Sequence, residues 1–179
     1  MIAGFAQRLA RDTKGVTVVE FALVLPIMVT ALLGMIEVNS LVTAYGKSVS
    51  AAQSVADLTA QSASVVTSDL DGLAVAAQRI LDPLTSSAAI LGVDIVSVGF
   101  DANDVPYKAW SYHWGMAATA PSPAAAAGLG AANESVIMVG VNYSYIPLIA
   151  EIVPQITFSQ QAVARPRVTR KIALNGVTG

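Results

Sequence analysis

The spacing of apolar positions along this chain changes several times. Residues 16–36, VTVVEFALVLPIMVTALLGMI, are apolar almost without break, interrupted by Glu20 and two threonines. A transmembrane helix needs about 20 such residues, so the run is long enough to span a bilayer. Beyond it Val38, Leu41, Val42, Tyr45, Val49, Ala52, Val55 and Leu58 recur in steps of three and four. That is one apolar stripe on an amphipathic helix, with Asn39, Ser40, Lys47, Ser48, Gln53, Asp57 and Gln61 on its other faces. One long helix is expected, half in lipid and half packed on a head.

A second helix is expected to start at Ser68, with Ser68 and Asp71 as a loose capping box. Leu70, Leu73, Ala74, Ala77, Ile80, Leu81 and Leu84 carry its apolar face, and Pro83 should end it. The period then shortens. VDIVSVGF at 93–100 reads as a strand, DANDVP at 101–106 as a turn, and YKAWSYHW at 107–114 as a strand with Lys108, Trp110, Tyr112 and Trp114 on one side. The Ala-, Gly- and Pro-rich stretch 115–133 reads as a long loop. SVIMVGVNYSYIP at 135–147 reads as a strand that groups Ile137, Val139, Val141, Tyr143 and Tyr145. A short apolar stretch, Leu148 to Val153, precedes a last strand at 155–168. Helices first and antiparallel strands after them predict an α+β fold with a small antiparallel sheet.

Composition agrees with an anchored protein. Charged residues make up 12% of the 179 and hydrophobic residues 54%, against about 25% charged in an ordinary soluble domain. The net charge of -2 gives no basic face for nucleic acid. There is no cysteine, which removes disulfides, thiolate catalysis and cysteine metal ligands, and one histidine, His113, leaves little for a transition-metal site. His113 reads as a structural or exposed residue, and Asp101, Asn103 and Asp104 as a plain turn, because a calcium loop would end in a glutamate. Trp110, Tyr112 and Trp114 read as sheet core or as a subunit contact. The basic group Arg165, Arg167, Arg170 and Lys171 reads as a solvated tail, with acidic partners or lipid headgroups as alternatives. No phosphate-binding loop, G-x-S-x-G or H-E-x-x-H occurs, so no cofactor and no enzymatic activity are expected.

Charge also orients the anchor. Arg8, Arg11 and Lys14 outweigh Asp12 in residues 1–15, so the positive-inside rule places this basic leader in the cytoplasm, residues 16–37 in the membrane and residues 38–179 outside it. A secretory signal cleaved after Val42-Thr43-Ala44 is the rival reading, but its apolar region would span only about 7–15 residues. Glu20 is the informative position, since a carboxylate in a membrane segment costs about 2.5–3.5 kcal/mol on insertion scales. Near the headgroups it would simply favour the helix N-terminus. Were the chain cut after Gly15, it would lie one turn from a new amine on Val16, and pairing would offset the cost of both charges in lipid.

The stretch from Gly15 and Val16 through Glu20, Phe21, Ala22 and Leu23 to Pro26 resembles the G-x-x-x-x-E-F-A-L-x-x-P signature of TadE/TadG-like minor pilins, pseudopilins of the tight-adherence (Flp, type IVb) pilus system. Gly34-Met35-Ile36-Glu37 resembles the family's G-x-x-E at the helix end. Val141-Asn142-Tyr143-Ser144-Tyr145-Ile146-Pro147-Leu148 and the later Ile156-Thr157-Phe158-Ser159 with Ala164-Arg165-Pro166-Arg167 resemble its C-terminal strands. The resemblance implies cleavage between Gly15 and Val16 by a prepilin peptidase. It implies assembly roles for Glu20, Phe21 and Pro26, and a helix-end motif at Gly34 and Glu37. The implied partners are that peptidase, other pilins, the pilus assembly platform and membrane lipid. The implied location is the bacterial inner membrane with the head in the periplasm, or the pilus itself. An uncleaved, single-span periplasmic binding domain is the alternative.

Overall fold

A computed structural model of the chain describes residues 15–117, 120–150 and 153–178. Helix α1 runs over Val16–Ala60, followed by the short strand β1 (Ser64–Val65) and helix α2 (Thr67–Leu81). Strands β2 (Leu91–Phe100), β3 (Pro106–Gly115), β4 (Ser135–Tyr145) and β5 (Ile156–Ala164) then form an antiparallel sheet in the order β3-β2-β4-β5. A final strand, β6 (Ala173–Leu174), pairs in parallel with β1. The expected α+β class, with helices first and an antiparallel sheet after, is what the chain adopts.

The central strands β2 and β4 are buried along their whole length, which requires cover on both faces. The front face, bearing Val93, Ile95, Ile137, Val139, Val141, Tyr143 and Tyr145, packs against the distal half of α1 and against α2. The grouping of Ile137 with Tyr145 and the residues between them follows from the strand's period of two. The back face buries Val96, Val98, Phe100, Val136 and Met138 with Ala126, which comes from a 3-10 turn at Pro123–Ala126. The stretch expected to be a long loop is therefore the lid on that face. Its small residues fit the sheet closely: a Cβ on Gly130 would lie 2.3 Å from the Phe100 ring.

The stripe expected on α1 is turned relative to the buried one. The buried residues are Glu37, Ala44, Ser48, Ala51, Ala52, Val55, Ala56, Thr59 and Ala60. Val38, Val42, Tyr45 and Leu58 are exposed, Val42 at 64%. The cause is packing: where a helix presses closest onto a sheet, short side chains are selected and bulky ones are displaced to the flanks. Ser48 and Thr59 can be buried because each hydroxyl donates to the carbonyl one turn back, Ala44 and Val55, both at 2.7 Å.

Three smaller expectations are also corrected. Asp69, not Ser68 with Asp71, caps α2, its carboxylate accepting the Val66 N–H at 3.0 Å. A bulge at Ala109 lets Ser97 pair with Trp110 but Val98 with Lys108, so Lys108 leaves the side that Trp110, Tyr112 and Trp114 share. Trp110 is buried there, with Tyr112 and Trp114 packed against the core. The basic tail is a strap rather than a solvated end. After β5 stops at Ala164, Arg165 donates to Leu129 O, Arg167 pairs with Asp57, and Arg167 N donates to Ala60 O. Ile172 is fully buried, and its carbonyl accepts the Trp110 indole N–H at 2.8 Å.

Candidate functional site

The sequence placed its chemistry on the first helix, and that helix divides into two environments. Residues 16–32 are exposed on every face, whereas from Glu37 onward one face is buried in the head. The exposed part has a mean hydropathy of 2.4 over its most apolar window and is long and apolar enough to cross a membrane. Glu20 projects from it without an ion-pair or hydrogen-bond partner among the described residues. Phe21 is 60% exposed. Gly15 stands at the N-cap, and Val16 is the first helical residue. The basic leader, Gly15 excepted, lies outside the described residues.

Pro26 does not end the helix. The Thr30 hydroxyl donates to Pro26 O at 2.8 Å, and α1 continues through this turn. Gly34 has nothing within 4 Å of where a Cβ would stand, so the chain's own packing gives no reason for a glycine there. One helical turn later comes the arrangement that sequence reasoning did not reach. Glu37 is 1% exposed, and both its carboxyl oxygens are occupied: Oε2 accepts the Tyr145 hydroxyl and Oε1 the Ile149 N–H, each at 2.8 Å. Glu37 thus ties the point where the helix meets the head to the end of β4 and the loop after it. The two stretches quoted separately, Gly34–Glu37 and Tyr143–Pro147, meet here in space. A buried carboxyl set beside a Y-x-Y-x-P strand end was the available signal, but the pairing needs the fold.

Tyr145 has its pKa raised, first by burial and then by its bond to Glu37, while the Ser40 hydroxyl acts the other way. Burial likewise raises Tyr143, whose hydroxyl donates to Thr85 O at 2.9 Å. Tyr112 is raised by burial and by its bond to Asp71. The folded chain therefore holds these protons after the unfolded chain begins releasing them near the ordinary value of 10.0. Stability is full below that pH and falls as pH climbs toward the raised values, by up to about 1.4 kcal/mol per pH unit for each tyrosine. Thermal unfolding followed from about pH 8 to about pH 11 should show this loss, and Tyr145→Phe should make it shallower. An unchanged alkaline slope in that variant would contradict the assignment.

Elsewhere the polar groups serve the fold. His113 is half exposed and its Nδ1 lies 2.8 Å from Oδ1 of the buried Asp94, giving that carboxyl a partner. Asp101 accepts the N–H groups of Asn103 and Val105 through one oxygen, the bonding of a turn. Among the described residues no group of three or more His, Asp or Glu side chains is placed to hold a metal.

Residues 15–57 match the model of the family described as TadE-like protein. The match takes in Gly15, Glu20, Pro26, Gly34 and Glu37 and stops before the sheet. No curated protein and no solved structure matches the chain. The similarity to TadE-like proteins thus rests on the long apolar helix, with a carboxylate near one end and a buried carboxylate where the head begins.

Proposed function

We propose that this chain is a non-enzymatic minor pilin of the tight-adherence pilus, made as a precursor and cut between Gly15 and Val16 by a prepilin peptidase. The carrying observation is the match over residues 15–57 to a helix whose first half stands bare of its own head, with Glu20 its sole charge. Before assembly, residues 16–37 span the inner membrane, the leader is cytoplasmic and the head is periplasmic. The basic leader supports that orientation. Phe21 and Pro26 shape the surface offered to neighbouring pilins, and Gly34 leaves room for a close helix approach. Cleavage creates an amine on Val16 one turn from Glu20, in the same chain or a neighbour.

Mapping the N-terminus by mass spectrometry, on protein taken from its native membrane, tests the proposal. A mature chain beginning at Val16 is expected. An intact leader would overturn it in favour of an uncleaved, single-span binding domain, and a start at Tyr45 would indicate an ordinary exported protein.

A further inference from the structure

Charge is distributed unevenly along the head. The end farthest from Glu37 carries Asp101, Asp104, Glu134, Arg165, Arg167, Arg170 and Lys171. The end beside Glu37 is built from residues 38–46, 83–93, 142–150 and 153–158, and none of these is Asp, Glu, Lys or Arg. Glu151 lies outside the described residues. The nearest described charges border these stretches and are partnered: Asp82 pairs with Arg79 at 3.5 Å, Lys47 donates to Ile80 O and Asp82 O, and the buried Asp94 meets His113. Lys47 is about 15 Å along the helix from Glu37 at 1.5 Å per residue.

The described residues of this end also present apolar side chains. Leu148 is 82% exposed and Ile146 56%, on a loop fixed by the Ile149 N–H bond to Glu37. On the same flank of α1, Pro83, Leu84 and Ile90 join Ile146 and Leu148 around a cavity of about 280 Å³. On the other flank, Leu41, Val42, Tyr45 and Phe158 line a second apolar hollow.

From this placement we infer that the end of the head beside Glu37 is a second membrane contact, with the Ile146–Leu148 loop seated in the headgroup layer of the leaflet that α1 leaves. The inference rests on the reading of residues 16–37 as a membrane span. If Ile36 ends the hydrocarbon, a loop bonded to the side chain of residue 37 lies at the depth of the headgroups, a layer about 5–7 Å thick. Two features favour lipid over a protein partner. The apolar surface runs continuously from the bare helix through Ile36 and Val38, and it occupies both flanks of α1 rather than one patch. Burying Glu37 against Tyr145 and Ile149 keeps the carboxylate nearest the bare helix paired inside the head. The head then rests on the bilayer in one orientation instead of swinging from its helix.

The chain has no cysteine, so single-cysteine variants report one site each. Full-length Leu148→Cys, Asn103→Cys and Leu25→Cys proteins would be labelled with the fluorophore NBD. Each would be reconstituted in phosphatidylglycerol–phosphatidylethanolamine vesicles carrying lipids spin-labelled near the headgroup or at mid-chain. The expected result is several-fold stronger quenching by the shallow label at position 148 than at position 103, which lies at the far end of the sheet. Position 25 should be quenched by the mid-chain label. Quenching at 148 no greater than at 103 would overturn the inference. So would protection of the 148 probe from both shallow lipid quencher and aqueous iodide, since that would mean a second copy covers the loop. Loss of quenching at position 25 would instead refute the membrane span itself.

Discussion

Replacing Glu20 with alanine is expected to leave the chain processed and inserted while cutting pilus assembly by roughly two to three and a half powers of ten. The reasoning begins with insertion. Removing a carboxylate from a membrane helix relieves about 2.5–3.5 kcal/mol, so the variant should enter the membrane at least as well as the parent. The bond after Gly15 is outside the altered turn, so processing should persist. Under the proposed cleavage after Gly15, what is lost is the partner for the new amine of Val16. Removing one member of a desolvated ion pair costs about 3–5 kcal/mol, which corresponds to roughly two to three and a half decades in an association equilibrium. Counting pili by electron microscopy, beside N-terminal mapping of the membrane-bound chain, reads both quantities. Normal piliation would remove Glu20 from assembly. A chain that is left unprocessed would move its role to the peptidase step.

Glu37→Ala is expected to destabilise the head by about 2–4 kcal/mol, because it strands a buried and a part-buried donor at once. The Tyr145 hydroxyl and the Ile149 N–H each lose their acceptor, and an unpaired buried donor costs about 1–3 kcal/mol. For a chain of this size the melting temperature should fall by roughly 5–15 °C, measured on the full chain in detergent. Glu37→Gln keeps an acceptor for one of the donors and should recover about half the loss. Combining Glu37→Leu with Tyr145→Phe removes an acceptor and a donor together and should cost less than Glu37→Ala alone, since replacing a satisfied polar pair by apolar groups is often near neutral. If Glu37→Ala melts with the parent, the carboxyl does not hold helix and head together.

The two carboxylates divide the helix by function. Glu20 is exposed in the half that the head does not cover, and on the proposed reading its partner is the amine of a processed chain or a group on a neighbour. Glu37 is satisfied within its own chain and sets how the head hangs on the anchor. The proposed assembly role would use both: a group that is incomplete alone, and a joint that transmits the helix's position to the head.

The long helix, the second helix ending before Pro83 and the strands around 93–100, 107–114 and 135–147 were legible because each rests on local spacing. So was the apolar run of membrane length with a carboxylate inside it, a one-dimensional signal on which the proposed site over residues 15–37 rests. The front face of β4 was legible for the same reason: a period of two places Ile137 through Tyr145 together whatever lies opposite. Which face of α1 is buried was not legible. Periodicity ranks residues by hydrophobicity, whereas the sheet selected for closeness, taking Ala44, Ala51, Ala52 and Ala56 and leaving Val42 and Tyr45 outside. Nor could local spacing show the strap of the basic tail, the loop that lids the sheet's back face, or the bulge that turns Lys108 away, since each depends on pairing between distant segments. The sequence by itself determined an anchor helix with Glu20 in it. Only the tertiary structure decided that Glu37 meets Tyr145 and Ile149, more than a hundred positions away, because a buried carboxyl takes whatever donors the folded chain brings within reach.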